Sequence, residues 1–453
     1  MSVLIVATVP GLLSEVAHAT TTAVNCPVDD LQTAINAATA GDTLDVAGTC
    51  VGNFIITKDL TIDGIGATVL DGNHTGSTVT VAVGTTTFLN DLTVTGGTGT
   101  SGGGGGIVNL GVALTLQDST VSGNTDTSGT VATGGGIFNE NGILTLQEST
   151  VSGNTATGSG NATGAGIRNV DGTVSLQNST VSGNTANGAV VAAGGGLRNN
   201  FGTLSLQNST VSGNSASGGP SGSGGGISNS DGTVMLAATL LSGNTASGTT
   251  TAGPDCQGAV TSGGHNLVGN TSGCSGLGLT DLQNVDPKLD TLKNNGGPTK
   301  TMGLLPGSPA IGAIPLSAGA CSVGLNTDQR GVARPQGNGC DIGALEKGRT
   351  VTTVGSSDSS STSGQAVTFT ATVCPNPSTL PATPTGTVTF RDGGIGPVLA
   401  SGVSLAPGGG TRCARAQLTT STLSPGRHKI VAIYHGDGAN FKSRGSVIQH
   451  VAA

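Results

Sequence analysis

The stretch GGGIFNENGILTLQESTVSGNTA, residues 134–156, decides how this chain is read. Nearly the same string begins at residues 104, 164, 194 and 224, always thirty residues apart. A repeat of roughly 20–50 residues marks a solenoid, in which each unit buries its apolar face only against its neighbours. Aligned by column, the units place like on like. One aliphatic column is Ile107, Ile137, Ile167, Leu197, Ile227. Two more are Leu114, Leu144, Val174, Leu204, Val234 and Leu116, Leu146, Leu176, Leu206, Leu236, and a fourth is Val121, Val151, Val181, Val211, Leu241. Two asparagine columns run unbroken: Asn109, Asn139, Asn169, Asn199, Asn229, and Asn124, Asn154, Asn184, Asn214, Asn244.

Each unit holds three short strand-like pieces (GGIFN, ILTLQES, TVSGNTA) separated by Gly or Asn, which fits one coil of a parallel β-helix. Successive coils then sit about 4.8 Å apart, the spacing of hydrogen-bonded strands. Aliphatic columns become interior stacks, and stacked asparagines satisfy buried amides at tight bends. Corner glycines supply positive φ. Variable stretches such as ATGSGNATG (156–164) are expected as loops on one edge.

Composition agrees with a stacked aliphatic core. The 453 residues include 80 glycines, seven phenylalanines, one tyrosine (Tyr434) and no tryptophan, too little aromatic volume for an ordinary globular interior. A net charge of −8 carries no basic footprint, so nucleic acid is not an expected partner. The eight cysteines, Cys26, Cys50, Cys256, Cys274, Cys321, Cys340, Cys374 and Cys413, lack zinc-site or redox spacing. Taken in sequence order they form four local pairs, read as disulfides in an extracytoplasmic compartment. VLIVATVPGLL (3–13) followed by Ala17-His18-Ala19 reads as a signal peptide over 1–19. No later stretch is long and apolar enough to span a bilayer, so an exported protein without a membrane span is expected.

Residues 20–50 are expected to form an N-terminal cap. Leu31, Ala34, Ile35 and Ala38 share one helical face, Asp29 and Asp30 suit the positive end, and Gly41 is the expected stop. Strand-like segments lead into a β-helix over 51–285 with the thirty-residue repeats at 104–245, and 286–347 reads as its C-terminal cap. Residues 348–453 read as a separate last unit after a Ser/Gly/Thr-rich linker, GSSDSSSTSG (355–364). There QAVTFTATV, GTVTFRDG, RCARAQLTT and HKIVAIYHGD alternate as strands of a β-sandwich. Val367, Phe369, Ala371 and Val373 share one parity, and Ala414, Ala416 and Leu418 likewise. Cys374 and Cys413 therefore point the other way and are expected to bond across the outer face of one sheet.

GGGIFN with STVSGN resembles the repeat of right-handed parallel β-helix proteins of the pectate-lyase-like superfamily, particularly bacterial surface proteins related to polymorphic outer-membrane proteins. DPKLDTLKNNGGPTKTMGLLPGSPAIGA (286–313) and DQRGVARPQGNGCDIGALE (328–346) resemble the end of the choice-of-anchor Q domain of secreted bacterial proteins. PTGTVTF and YHGDGANFKS resemble bacterial immunoglobulin-like repeats. The resemblances imply an all-β protein: a β-helix with a short N-terminal cap helix, followed by an immunoglobulin-like sandwich.

Members of that superfamily often cleave polysaccharides. A uronate lyase needs a cationic base and a group that neutralises the substrate carboxylate, yet between residues 59 and 287 there is no lysine and only Arg168 and Arg198. A hydrolase needs two facing carboxylates. Columns set Asp118 against Glu148 and Arg168 against Arg198, which makes these four the candidate site, on different faces. Asp328, Arg330, Arg334, Asp341 and Glu346 form the densest charge cluster, and their place beside Cys321 and Cys340 reads as structural. His265 in GGHNLVGN is read as a hydrogen-bonded loop histidine. Phe138 and Phe201 are the only aromatics in the repeats, few for a sugar cleft. Outward Thr115, Thr145, Ser175 and Ser205, with Thr173, Thr203 and Thr233 one column away, raise a third class, ice binding. The sequence calls for no cofactor, metal or catalytic residue. The expected function is a rigid, non-catalytic secreted or cell-surface protein whose partners are extracellular glycans or cell-surface proteins. A polysaccharide lyase or glycoside hydrolase is the alternative.

Overall fold

The computed structural model describes residues 19–99, 103–318, 321, 325–376, 383–408 and 412–453. The expected signal peptide lies outside the described residues, apart from Ala19. The chain is nearly all β, a parallel β-solenoid followed by a sandwich, with one α-helix among the described residues, α1, Leu31–Ala37. Asp30 caps it by accepting from the Thr33 N–H at 2.6 Å. The helix ends before Gly41. Ala38 is already extended, and Lys58 Nζ donates to the Asn36 and Ala38 carbonyls, neutralising the C-terminal end. Leu31 and Ile35 seal the first coils of the core.

Strands of successive units pair parallel at an offset of thirty. Ile137 stands on Ile167, Leu144 on Val174, Leu146 on Leu176 and Val151 on Val181. All four aliphatic columns are no more than 1 % exposed. Each such side chain contributes about 1.5–3 kcal/mol of transfer energy, one part of what opposes the entropy cost of ordering the coil.

Each repeat contains five strands, not three. In one coil they are Ile137–Glu140, Ile143–Gln147, Thr150–Ser152, Thr155–Gly158 and Asn161–Thr163. The variable stretches expected as loops are therefore strands. They stack into a six-stranded and a five-stranded parallel sheet that close on each other as a thin fin. Its interior is Ala132, Ala156, Ala162, Ala165, Ala186, Ala192 and Ala216, all fully buried. The approach is so close that a Cβ on Gly188 would stand 1.9 Å from the Val191 carbonyl oxygen. Small residues dominate TATG, TANG and SASG because nothing larger fits.

The segment expected as the C-terminal cap runs back along the flank of the coil. Thr299 Oγ1 donates to the Glu148 carbonyl, Thr150 Oγ1 to the Lys300 carbonyl and Thr180 Oγ1 to Gln329 Oε1. The Ala344 N–H reaches Thr210 Oγ1, and the Gly343 N–H reaches the Ala238 carbonyl. The reason is chemical: Thr150, Thr180, Thr210 and Leu240 point outward in one column, and a buttress with matching donors and a small core of Leu304, Ala310, Ile314, Ile342 and Leu345 covers them.

The last unit is a sandwich of four- and five-stranded sheets around Phe369, Phe390, Ile430 and Tyr434. The Ser-rich stretch is no linker. Thr350–Ser356 pairs antiparallel with Val367–Pro375, and Ser360–Thr362 pairs parallel with the C-terminal strand. Alternating hydroxyl side chains suit an exposed strand as well as a tether, and strand pairing decided between them. The sandwich docks on the buttress. The Leu304 N–H donates to the Gly438 carbonyl, the Gly348 N–H to the Ala439 carbonyl, and Ala439 is 3 % exposed within the buttress core.

Candidate functional site

Four disulfides join the cysteines in sequence order: Cys26–Cys50, Cys256–Cys274, Cys321–Cys340 and Cys374–Cys413. The last joins neighbouring strands beside the inward pair Val373 and Ala414, with both sulfurs on the half-buried outer side.

The asparagine columns are hydrogen-bonded ladders. Asn109, Asn139, Asn169 and Asn199 each donate Nδ2 to the next Oδ1, ending at Asn229, at 2.6–3.0 Å. In the second ladder both the backbone N–H and Nδ2 of Asn124, Asn154, Asn184 and Asn214 donate to the next Oδ1. It ends on Asp255, which receives Asn244 in the same way and whose pKa is raised by burial. A serine ladder between them was not anticipated: the backbone N–H groups of Ser119, Ser149 and Ser179 donate to the Oγ of Ser149, Ser179 and Ser209. Its signal was visible in the recurring Q-x-S-T.

Asp118 and Glu148 stack at a corner between two strands of each coil, both in the left-handed region with φ near 50°. Asp91, overlooked in the sequence, precedes them one coil earlier with the same φ. Burial and then the charge of Asp91 push Asp118 up to about 6. Burial, then Asp118 and Asp328, raise Glu148, and burial, then Asp63, raise Asp91. Asp91 and Asp118 edge a groove where the buttress stops short. Two adjoining hollows of about 380 and 370 Å³ share Thr93, Thr120 and Pro298, and Lys300 lines the far part.

Arg168 and Arg198 stack on a different sheet, in register with Phe138 and Ser228. Arg168 Nη1 and Arg198 Nε both donate to Asn200 Oδ1, and Arg198 Nη1 donates to Ser228 Oγ. Burial and then Arg198 lower Arg168 to about 10, and burial lowers Arg198. The two pairs belong to separate faces of the coil. Among the described residues no carboxylate forms an ion pair with either guanidinium, although the charge of Asp231 acts on Arg198 against the effect of burial, so neither pair forms an acid–base couple.

The charge cluster is a buried network. Asp328 accepts from the Arg330 guanidinium and from the backbone N–H groups of Arg330, Val332 and Glu346. Arg334 pairs with Glu346, which also accepts from the Gln336 and Asp341 N–H groups. Burial, then Asp341, push Glu346 up to about 7, and burial raises Asp341. Lys347 Nζ donates to the Leu304 and Asp437 carbonyls at 2.5 Å, which ties the buttress to the sandwich. His265 sits in the left-handed region, its N–H held by Thr280 Oγ1.

Of the outward hydroxyls, Thr115, Thr145, Ser175 and Ser205 form one column bracketed by Phe88 and Met235, both more than 40 % exposed. Thr173, Thr203 and Thr233 form the next, headed by Ile143.

Residues 353–452 match the family model of a bacterial Ig-like domain (group 3). That domain and the four disulfides are consistent with an extracellular protein. No curated protein matches the chain. Among solved structures, the enzymatically active domain of bacteriophage CBA120 tailspike protein 4 is similar at 14 % identity and a TM-score of 0.13. The match covers 84 % of this chain and 60 % of that one, less than two thirds of the tailspike domain's length. Among the described residues no helix is long and apolar enough to cross a membrane.

Proposed function

We propose that this is a secreted or cell-surface bacterial protein of the pectate-lyase-like, choice-of-anchor Q type. It acts without catalysis, as a rigid stalk or adhesion surface that meets glycans or cell-surface proteins. The reading is supported chiefly by the continuity of the rod: the buttress grips the coil flank and takes Ala439 of the immunoglobulin-like domain into its own core. A carrier of load or of a binding face needs that rigidity. The test is to incubate pure protein with pectin and a glycan panel while following unsaturated products and reducing ends. Binding to glycans or cells without turnover is expected. Turnover lost on Asp118→Asn or Glu148→Gln would overturn the reading.

A polysaccharide hydrolase or lyase is the second reading, and one observation favours it. Asp118, held near 6 at the edge of a groove with Asp91 one coil away, is a carboxyl that could give up a proton near neutral pH.

A further inference from the structure

A hollow larger than those beside Asp118 lies where buttress and sandwich meet, far along the chain from that groove. Its volume is about 630 Å³, within the range of small-ligand sites. Ile311, Gln336, Asn338 and Asp341 line it from the buttress, and Arg349, Asn376, Phe441 and Lys442 from the start and body of the sandwich.

Backbone pairing builds this rim. Gly348 bridges to Asn440, the Phe441 N–H donates to the Gly348 carbonyl, and Thr350 Oγ1 donates to the Phe441 carbonyl. Arg349 and Lys442 are thereby delivered to one opening, and the Asn376 N–H, donating to the Arg349 carbonyl, adds a third segment. Arg349 Nε donates to the Gln336 carbonyl. That anchors the side chain while its terminal Nη groups and Lys442 Nζ have no acid partner among the described residues. The one carboxylate in the lining, Asp341, is already engaged: it accepts from the Gly312 and Lys347 N–H groups and is 1 % exposed. Two cations therefore stand uncompensated at this opening in a chain of net charge −8.

We infer that this junction binds an anionic saccharide. An anchored guanidinium presents a planar fork to a carboxylate or sulfate, and the ammonium adds a second charge. Asn338 and Asn376 offer amide donors and acceptors of the kind ring hydroxyls require. Half-buried Phe441, one of only eight aromatics in the chain, gives an apolar face against which a sugar ring can lie. The site rests on the adhesion reading and names its ligand class. It also gives the docking of the two units a purpose, because neither unit alone carries both cations with the Asn338 wall.

The test is calorimetric titration of the full chain with heparin-derived oligosaccharides (sulfates), alginate oligosaccharides (carboxylates alone) and dextran (neutral). At least one anionic series is expected to bind, weakening with salt, and dextran is not. Arg349→Gln with Lys442→Gln should lower that affinity at least tenfold. Arg415→Gln with Arg427→Gln, which removes the same charge elsewhere on the sandwich, should change it less than twofold. Unchanged melting of both variants checks the fold. Equal losses in the two variants, or retained affinity in the first, would overturn the site. Binding of neutral glycans or cells with no preference for charge would sink this site and leave the adhesion reading standing. No binding to any glycan or cell would sink both.

Discussion

Replacing Asn184 by alanine tests the ladder at its centre. Asn184 Oδ1 accepts from the Asn154 N–H at 3.0 Å and from Asn154 Nδ2 at 2.9 Å, and its own Nδ2 donates to the Val151 carbonyl and to Asn214 Oδ1. The substitution removes four hydrogen bonds. Asn154 Nδ2 keeps the Val121 carbonyl, and Asn214 Oδ1 keeps the Asn184 N–H. The Asn154 N–H, fully buried, loses its acceptor. At about 0.5–1.5 kcal/mol net for each bond and about 1–3 for the stranded donor, with the retained partners offsetting part, the loss should be about 3–5 kcal/mol. Gln177→Ala is the control: its side chain stands half-buried on the outside with no hydrogen bond among the described residues, and its loss should cost under about 0.5 kcal/mol. Equilibrium denaturation by guanidinium followed by circular dichroism measures both, and hydrogen exchange should locate faster opening in peptides around 151–154 and 181–184. Asn184→Asp should fare no better, because it keeps the acceptor but loses the donor and puts a charge in a dry corner. An Asn184→Ala midpoint indistinguishable from the Gln177→Ala control would refute the ladder as a source of stability.

The pKa of Glu346, raised to about 7 by burial, gives a pH signature. The folded form binds the extra proton between the ordinary range near 4.5 and about 7, so this contribution is present in acid and is lost as pH rises through neutrality. Asp118, raised to about 6, acts with the same sign. Denaturation midpoints should therefore fall from pH 5 to pH 7.5, and Glu346→Gln should flatten that slope. Breaking the Cys374–Cys413 bond releases a loop of sequence separation 39 and should lower the stability of the sandwich by about 4 kcal/mol in the chain-entropy account, read as a lower melting transition in the Cys374→Ala, Cys413→Ala double variant. Ala439→Glu forces a charge into the buttress core and should undock the sandwich, seen as new protease cleavage near 347–350 and a larger radius of gyration in solution scattering. Ala162→Leu should cost more than about 2 kcal/mol, because the fin has no room beside its alanines.

Much of the coil was legible because its period is thirty residues and its demands are identical in every unit. Ile137 can only recur as Ile167 if both sit on the same wall, and Asn139 as Asn169 if both meet the same bend. The buttress was not legible, for a definite reason. Thr150, Thr180 and Thr210 have the alternation of a solvent-facing column, and nothing local reveals that Gln329 and Ala344, more than a hundred residues later, will cover them. The fin was missed because alanine and glycine carry weak apolar signal one at a time. Only in stacks such as Ala132, Ala162 and Ala192 do they make a wall. For the candidate site, the stacking of Asp118 on Glu148 and of Arg168 on Arg198 followed from column arithmetic. The groove beside Asp118 and the cavity at Arg349 did not, because both are made by segments brought together from separate parts of the chain.

One column shows how a repeat can vary without losing its register. At the left-handed corner the residues run Asp91, Asp118, Glu148, Asn178, Asn208, Ala238, all with φ between 46° and 52°. Where the buttress is absent the position is a carboxylate at the edge of a groove. At its margin Glu148 gives its carbonyl to Thr299 while its side chain meets the repulsion of Asp118 and Asp328. Beneath the buttress come Asn178 and Asn208, no more than 2 % exposed, and at the far end a methyl group, Ala238, with no exposure at all. Desolvating a charge costs more than desolvating an amide, and an amide more than a methyl. The order along the column is therefore the order in which water is withdrawn. Uniform interior columns hold the coil, and this outward one follows what lies over it, so the acids persist only where the flank stays open to a ligand or to solvent.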